Sequence, residues 1–370
     1  MTLIYREVLK SVFRKPYQLP QLALNSWSIY RSSPKANTLP SRLHIEQGTV
    51  CNLSCRMCPR TLIKRPKGMI TFDKFKTIYD QINPLFLNLT GFGESFLNPD
   101  ILAMVTYAKK HGSFTKLDTN GILVGSKFAN DIIKSGLDLI SFSIDAADKK
   151  TYKNIRRSNK FELVISNLKS LVKMRNKKNS PLKIHVAMVV QKDNLEQLIK
   201  FINLIDRIGI DRINFIYLIE QGVPENKQYL LDPYRKQLKI LIDEYHEIKG
   251  DLKSEVDILP LEEFADGKAG ATKKDGACFM PWHSTHITYN GDVQPCPAYY
   301  DNQIKAGNVF EENFKQIWNN RIYQDFRRKL IHNRRKLPIC AKCNMNEDYI
   351  VRKISIINKI PYLKLLTERS

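Results

Sequence analysis

The sequence predicts an α/β fold, an incomplete (β/α)6 TIM-like barrel with a small C-terminal domain, and two observations carry this prediction. Six short apolar segments rich in branched residues recur between residues 40 and 220, and each is followed by a segment of helical periodicity. Strands that alternate with helices in this way form parallel β-α-β units with right-handed crossovers. Six units also suit the length, because 370 residues are too few for a full eightfold barrel and a further domain.

Each element follows from a local pattern. The predicted strands are 42–48, 85–91, 114–120, 137–145, 183–190 and 212–219. Apolar residues of the segment 72–82 recur at helical spacing and predict a helix there, and the longest helical segment is predicted around 149–175. Ligands of parallel α/β folds bind at the carboxyl ends of the strands, so residues just after the strands are candidates for function.

The remaining segments divide the chain further. The predicted divisions are a basic amphipathic N-terminal extension (1–38), the barrel core (39–235), a helical connector (236–275), a small cysteine-containing domain (276–350) and a basic C-terminal tail (351–370). No uninterrupted apolar run exceeds five residues, whereas a bilayer-spanning helix needs about 20. The first ten residues carry charges where a signal peptide has an apolar region, so we expect a cytoplasmic protein with reduced thiols.

The net charge of +22 indicates an anionic partner, which includes nucleic acid, a membrane surface or an acidic substrate. The alternative is that lysines, such as those of 169–178, only solvate helix faces. Near the N-terminus, Ile4, Val8 and Val12 share one helical face, with Arg6 and Lys10 between them. Such a helix suits peripheral contact with the inner membrane surface, or docking on the protein's own barrel.

Three cysteines lie within eight residues just after the first predicted strand, at Cys51, Cys55 and Cys58. Thiolates are soft ligands that suit zinc or iron–sulfur clusters. Three thiolates on a cubane [4Fe–4S] cluster leave one iron without a protein ligand, and catalytic metal centres need such an open position. A zinc ion that borrows a distant histidine is the alternative.

The stretch CNLSCRMC, residues 51–58, resembles the CxxxCxxC signature of the radical S-adenosylmethionine (radical SAM) enzymes. In that family the amino and carboxylate groups of SAM chelate the open iron, and reduction of the cluster leads to a 5′-deoxyadenosyl radical. The family usually has an aromatic residue before the third cysteine, where this chain has Met57. The resemblance implies a [4Fe–4S] cluster, SAM and an electron donor such as flavodoxin or ferredoxin.

Three further motifs resemble those of the family, each after a predicted strand. Gly91 to Glu94 resembles its glycine–glutamate motif for the SAM amine, Thr119 to Gly121 resembles its TNG turn, and Ser143 resembles its strand-four serine. An arginine a dozen residues later, at 156 or 157, suits the SAM carboxylate as a bidentate donor. The resemblance therefore implies six SAM-binding residues: Gly91, Gly93, Glu94, Asn120, Ser143 and Arg156.

A second group holds four cysteines, Cys278, Cys296, Cys340 and Cys343. Four thiolates close a tetrahedral zinc site or saturate a [4Fe–4S] cluster, and spacing alone does not choose. The sequence around Cys278 and Cys296, with Gly291 between them, resembles the SPASM/twitch extension of radical SAM enzymes, which binds auxiliary clusters. The resemblance implies an incomplete radical SAM barrel with a small C-terminal SPASM/twitch-like domain and two [4Fe–4S] clusters.

Other polar residues are weaker candidates. Tyr217 and Glu220 follow the sixth predicted strand, where they could relay protons as catalytic residues, and Gln191 follows the fifth. Each of these side chains could equally line a cavity wall or the surface. His283 and His286 lie within the second cysteine group, where such histidines are more often packing residues than functional ones.

We expect a radical SAM oxidoreductase that abstracts hydrogen from a substrate carbon, with the auxiliary cluster as electron acceptor. The 38-residue N-terminal segment is short for a peptide leader-binding domain, which slightly favours a sugar, cyclitol or lipid-like small molecule. Modification of a ribosomal peptide or of RNA by the same chemistry is the alternative, as is a non-catalytic metal-binding scaffold with a basic surface. Nucleic acid is disfavoured as a partner, because the basic residues are not interleaved with aromatic ones.

Overall fold

The structure, a computed structural model, describes residues 15–31, 33–220, 223–267, 278–299, 301, 303–341 and 343. The predicted membrane-surface face of the N-terminal extension and the whole predicted tail 351–370 lie outside the described residues. No helix in these ranges combines the length and hydrophobicity needed to cross a bilayer.

Six parallel strands form the core of one sheet, in the order in which they follow each other along the chain. They are β1 (Arg42–Ile45), β2 (Phe86–Leu89), β3 (Phe114–Thr119), β4 (Leu139–Ser143), β5 (Lys183–Val190) and β6 (Arg212–Tyr217). The sheet does not close within the described residues, because β1 and β6 are not paired. This is the predicted incomplete (β/α)6 barrel, which the comparisons described below confirm.

Helices precede, connect and follow these strands along the chain. In chain order they are α1 (Leu19–Tyr30), α2 (Phe72–Ile82), α3 (Ile101–Lys110), α4 (Ser126–Lys134), α5 (Lys149–Arg156), α6 (Phe161–Lys177), α7 (Leu198–Asp206), α8 (Arg235–Ile248), α9 (Leu259–Ala265), α10 (Met280–His283), α11 (Phe314–Trp318), α12 (Arg321–Asn333) and α13 (Pro338–Ala341). The predicted helix over 72–82 matches α2. The single helical segment predicted around 149–175 is wrong, because Arg157 adopts a left-handed conformation, φ 54°, and separates α5 from α6.

The two faces of the sheet differ in polarity. Outward side chains such as Leu43, Leu87 and Ile184 are fully buried in the main apolar core, which they share with the helices. The alternate residues point to the concave inner face, where polar side chains such as His44 and Asn88 predominate. The sheet therefore packs its apolar face under the helices and leaves a polar interior for ligands.

Four further strands extend the sheet at both edges. They are β7 (Glu255–Asp257), β8 (Ser284–Ile287), β9 (Asp292–Gln294) and β10 (Gly307–Asn308). β7 pairs with β6, so the segment predicted as a helical connector also contributes a strand. β8 pairs in parallel with β1 and begins an antiparallel β8–β9–β10 meander. The C-terminal cysteine region is thus built directly onto the first barrel strand.

Helix α1 and the residue Lys15 lie at the amino ends of the strands, opposite the edge where ligands of such folds bind. Lys15 is 1% exposed, and its Nζ donates to Asn83 Oδ1 at 2.6 Å and to the Pro84 carbonyl at 2.8 Å, just before β2. Burial lowers the pKa of Lys15 to about 8. This part of the N-terminal extension docks on the protein's own barrel.

Candidate functional site

The loop after β1 carries the first three cysteines. Cys51, Cys55 and Cys58 are all partly exposed, and the Cys58 N–H donates to the Cys55 carbonyl at 3.2 Å. Burial is the main cause that raises the pKa of both the Cys51 and Cys58 thiols, and the neighbouring thiols of the group add to it. The three sulfur atoms therefore lie within electrostatic reach of one another on one short loop.

Arg56, between the second and third cysteines, fastens this loop to distant segments. Its Nη1 donates to Asn154 Oδ1 on α5 at 3.1 Å, and its Nη2 donates to Gln191 Oε1 at 3.0 Å and to Asp193 Oδ2 at 2.6 Å. The guanidinium also lies 3.6 Å from the centre of the Tyr229 ring. We did not predict this role, although a lone arginine inside a cysteine motif was visible in the sequence.

The loop after β2 packs directly against the segment that leads into Cys51. The Gly93 N–H donates to the Gly48 carbonyl at 3.0 Å, and the Glu94 N–H donates to the Val50 carbonyl at 2.9 Å. A Cβ on Gly93 would lie 2.6 Å from the Gly48 oxygen and 2.7 Å from the Val50 oxygen. Only glycine permits this approach, because both obstructing atoms belong to the backbone.

The Glu94 carboxylate is bound to the turn after β3. Its Oε1 accepts from Thr119 Oγ1 at 2.6 Å, and its Oε2 accepts from the Asn120 N–H at 2.8 Å. Burial raises the pKa of this carboxyl, and the hydrogen bonds from the turn oppose that rise. Asn120 in turn donates through Nδ2 to Asn52 Oδ1 at 2.7 Å, inside the cysteine loop. The structure therefore joins the glycine–glutamate motif, the TNG turn and the cysteine loop in one hydrogen-bonded unit.

Arg156 lies at the same site, on the last turn of α5. Its Nε is 2.5 Å from Asp145 Oδ2, and its Nη1 donates to Cys55 Sγ at 3.8 Å. Arg156 is 7% exposed, whereas the neighbouring Arg157 is exposed. The structure thus brings Arg156 rather than Arg157 to the cysteine loop, and Asp145 orients it. Ser143 lies at the end of β4, half-buried on the inner face.

Met57 occupies the position where the radical SAM signature has an aromatic residue. Gln191 Nε2 donates to Met57 Sδ at 3.3 Å, and Asn226 Nδ2 donates to the Met57 carbonyl at 3.3 Å. Gln191 is fully buried. Its side chain supports the cysteine loop rather than lining an open cavity.

Glu46, just after β1, connects the site to the C-terminal region. Its Oε1 lies 2.5 Å from Arg65 Nη2, and its Oε2 accepts from the Tyr289 N–H at 3.4 Å. Burial raises the pKa of Glu46, and the Arg65 charge counteracts that rise. Sequence reasoning missed this pair, because nothing in its local pattern marks residues 46 and 65 as partners.

The four remaining cysteines line a single, mostly apolar cavity. Cys278, Cys296, Cys340 and Cys343 face it together with apolar residues that include Met280, Pro281, Phe326, Leu330 and Ile339. Tyr299 lies in the same wall, and its hydroxyl is 3.2 Å from Cys340 Sγ. Residues far apart in the sequence therefore present four thiols to one cavity, as a fully ligated cluster requires.

Tyr217 and Glu220 have different surroundings. Tyr217 is 7% exposed at the end of β6, its ring lies 4.6 Å from that of Phe264, and burial and then the Cys343 thiol raise its pKa to about 12. The Glu220 carboxylate lies 3.8 Å from Lys227 Nζ. Tyr217 thus lies near the second cysteine group, while Glu220 forms a long ion pair near the surface.

His283 and His286 take packing positions. His286 is 1% exposed on β8, and its Nδ1 lies 3.0 Å from Gln294 Oε1 on β9. Burial lowers the pKa of each ring to about 4. Among the described residues, no three His, Cys, Asp or Glu side chains converge closely enough to hold a single metal ion.

Comparison with known families gives two matches. Residues 45–214 match the Radical SAM superfamily, and residues 278–344 match SPASM, an iron-sulfur cluster-binding domain. They cover the two cysteine groups separately.

Several curated proteins are similar over most of their length. The tungsten-containing aldehyde ferredoxin oxidoreductase cofactor-modifying protein of Pyrococcus furiosus is 24% identical over 82% of this chain and 87% of its own. The AdoMet-dependent heme synthase of Methanosarcina barkeri is 27% identical over 73% of this chain and 79% of its own. The PqqA peptide cyclase of Streptomyces rochei is 23% identical over 75% of each chain.

Solved structures share the fold. Streptococcus suis SuiB bound to its precursor peptide SuiA superposes with a TM-score of 0.65 and 20% identity, over 82% of this chain and 70% of that one. The anSMEcpe protein with bound AdoMet gives a TM-score of 0.63 and 19% identity, over 82% of this chain and 88% of that one.

Proposed function

This chain belongs to the radical SAM superfamily and carries a SPASM domain, and we propose that it is an enzyme that modifies a peptide by radical chemistry. A radical SAM domain binds a [4Fe–4S] cluster and SAM, and a SPASM domain binds further iron–sulfur clusters. The observation that carries the proposal is the hydrogen-bonded unit of the cysteine loop, Glu94 and Asn120, beside Arg156.

Cys51, Cys55 and Cys58 would hold the first cluster, which with SAM supplies a 5′-deoxyadenosyl radical that abstracts hydrogen from the substrate. Their fit is supported by thiols that are mutually close and partly exposed on one loop. Arg156 lies beside Cys55 and carries a guanidinium that suits the SAM carboxylate, while Asp145 keeps it in place. Asp145 occupies the Nε edge of Arg156, so we expect the SAM contact at the other edge.

Residues around the loop have supporting roles in this proposal. Gly93 lets the loop after β2 approach the cysteine segment, and this backbone is where we expect the SAM amine to bind. The Glu94 carboxylate is already used by the turn after β3, so it would shape the SAM site rather than bind SAM through both oxygens. Asn120 and Ser143 complete the proposed SAM contacts.

Cys278, Cys296, Cys340 and Cys343 would hold one auxiliary [4Fe–4S] cluster with no open iron. A fully ligated cluster takes up or gives electrons and does not bind substrate through iron. The apolar cavity and the Tyr299 hydroxyl beside Cys340 support this assignment. Tyr217, near Cys343, and Glu220 remain proposed proton-relay residues.

A peptide substrate replaces the small molecule that the short N-terminal segment slightly favoured. The PqqA cyclase acts on a peptide by name, and SuiB and anSMEcpe have been solved with peptides bound. The cofactor-modifying relatives make a small-molecule substrate the outcome that would overturn this choice. A low-potential electron donor such as flavodoxin or ferredoxin would reduce the first cluster.

The proposal is tested with a library of synthetic, perdeuterated peptides. We expect reduced holoenzyme with SAM to transfer deuterium from one such peptide into 5′-deoxyadenosine, detected by mass spectrometry. A reconstituted chain should contain about eight irons, four for each cubane cluster. Deuterium transfer from perdeuterated myo-inositol, but from none of the peptides, would overturn the peptide assignment.

A further inference from the structure

The concave inner face of the sheet holds a polar row that the proposed SAM site does not use. His286, His44, Asn88 and Lys116 stand in register on four neighbouring strands, β8, β1, β2 and β3. Side chains in register on parallel strands share one face, so this row runs across the barrel interior. On β1 the row is at His44, two residues before Glu46, so the row lies one layer below the carboxyl edge of the sheet.

Below this row, the next inward side chains on β2 and β3 are Phe86 and Phe114, whose rings are stacked at 5.1 Å. They form an apolar cluster, separate from the main core, with Leu139, which is in register with Lys116. Above the row, Asp118 and Ser143 are partly exposed on the same face. A group that reaches the row therefore enters from the edge that carries the cysteine loop.

Two atoms of the row are buried without a partner. Asn88 Nδ2 lies 3.2 Å from His44 Nδ1, and among the described residues neither His44 Nε2 nor Asn88 Oδ1 has a hydrogen-bond partner. Both side chains are at least 95% buried, with 5% and 4% exposure. Leaving a buried polar atom unpaired costs about 1–3 kcal/mol, so such atoms point to a ligand.

The chemistry of the pair defines that ligand. If Asn88 donates to His44 Nδ1, the neutral imidazole carries its proton on Nε2, and the pair offers one donor, Nε2–H, and one acceptor, Asn88 Oδ1. If the amide of Asn88 is turned over, the roles exchange, and the pair still offers one donor and one acceptor. An amide group binds both side chains through two separate atoms, because its carbonyl oxygen accepts a hydrogen bond and its N–H donates one. A hydroxyl would have to make both hydrogen bonds through a single oxygen.

A similar pair stands on the far strands. His185 is 2% exposed, its Nδ1 lies 3.4 Å from Asn214 Nδ2, and its Nε2 has no partner among the described residues. Lys116 influences the titration of both His44 and His185, which places it within electrostatic reach of the two pairs. The interior thus presents two histidine–asparagine pairs, with Lys116 within electrostatic reach of both.

We propose that the His44–Asn88 pair is a substrate subsite that binds an amide group of a peptide inside the barrel. The proposal rests on the proposed function, since it assigns part of the substrate contact of that same site. The His185–Asn214 pair would bind a second amide of the same peptide. Lys116, which is 2.9 Å from Asp118, would stand between the two amides.

The test measures binding of a minimal peptide, N-acetylglycine N-methylamide, to the holoenzyme with SAM by saturation-transfer NMR. We expect this probe to bind the wild-type enzyme, and its methyl ester analogue, which lacks one N–H, to bind about tenfold more weakly. Equal binding of the ester, or stronger binding of myo-inositol, would overturn the subsite. This comparison uses only wild-type protein and does not depend on the folding of a variant.

Substitution locates the subsite. His44→Leu should weaken binding of the amide probe by about tenfold, while His332→Leu, which alters an exposed histidine of α12, serves as the matched control. Unchanged binding by the His44 variant would overturn the assignment. The same preparations are assayed for 5′-deoxyadenosine release: release without amide binding rejects the subsite alone, and no release from wild-type enzyme rejects the proposed function.

Discussion

The Glu94 carboxylate accepts a hydrogen bond from the backbone N–H of Asn120 at 2.8 Å, and the Asn120 side chain donates to Asn52 between the first two cysteines. Three sequence motifs that follow three different strands therefore form one structural unit. A substitution at any of these positions should therefore alter the conformation of the cysteine loop.

Glu94→Gln tests this unit. Glutamine places an NH2 group against either the Asn120 N–H or the Phe96 N–H, so one buried hydrogen bond is lost. We expect a loss of about 1–3 kcal/mol in the free energy of unfolding, measured with urea, and weaker SAM binding by equilibrium dialysis. The control is Glu225→Gln at an exposed position. Wild-type stability of the Glu94 variant would show that the carboxylate does not hold the turn.

Gly93→Ala tests the close approach of two loops. Its Cβ would lie 2.6 Å from the Gly48 carbonyl oxygen, so the backbone must shift. We expect destabilisation of about 1–3 kcal/mol in urea unfolding, as for other overpacked sites. Gly250→Ala is the matched control, because no described heavy atom lies within 4 Å of its added Cβ. Similar unfolding midpoints for the two variants would contradict the packing argument.

Arg56→Met tests the support of the cysteine loop. The variant loses the hydrogen bonds to Asn154, Gln191 and Asp193 but keeps an unbranched, apolar stem. We expect the holoprotein to lose iron to a chelator about tenfold faster, since hydrogen bonds to charged groups contribute about 1.5–3 kcal/mol. Lys67→Met, which removes an exposed positive charge, is the control. Equal rates of iron loss from the Arg56 variant and the wild-type protein would show that Arg56 does not position the cysteine loop.

The buried side chain of His185 should make the stability of the protein depend on pH. Burial, and then the charges of Arg212, Lys116 and Lys183, lower its pKa to about 3, whereas an unfolded histidine titrates near its usual 6.5. The unfolded chain therefore binds the extra proton first, and stability is lost as the pH falls from about 6.5 toward 3. Between pH 7 and 5.5 this histidine should lower the free energy of unfolding by about 1 kcal/mol. In urea unfolding, the His185→Asn variant should lack this part of the pH dependence. Parallel pH profiles for both proteins would contradict the assignment.

Regular elements were readable from the sequence, because their patterns are local. The spacing of apolar residues gave α2 its observed limits, and all six core strands were placed within three residues. The first strand was predicted to reach residue 48 but ends at Ile45. There the chain leaves the sheet edge to pair with another loop: the Ile70 N–H donates to the Gln47 carbonyl at 3.2 Å, and the Thr49 N–H donates to the Gly68 carbonyl at 2.9 Å.

The site was only partly readable. The cysteine groups and the motifs around Glu94 and Asn120 have spacings that identify them. Arg56 and Asp193 lie 137 positions apart, and a bond between such residues exists only once the barrel has formed. The polar row that includes His44 and Asn88 was missed for the same reason, because register between strands is a property of the sheet.

The most direct test of the central claim is release of 5′-deoxyadenosine from SAM by the reduced protein. We expect release by the wild-type chain and none by Cys55→Ala, while the variant keeps about four irons in its auxiliary cluster. Release that persists in the Cys55 variant, or that is absent from fully reconstituted wild-type protein, would contradict the account.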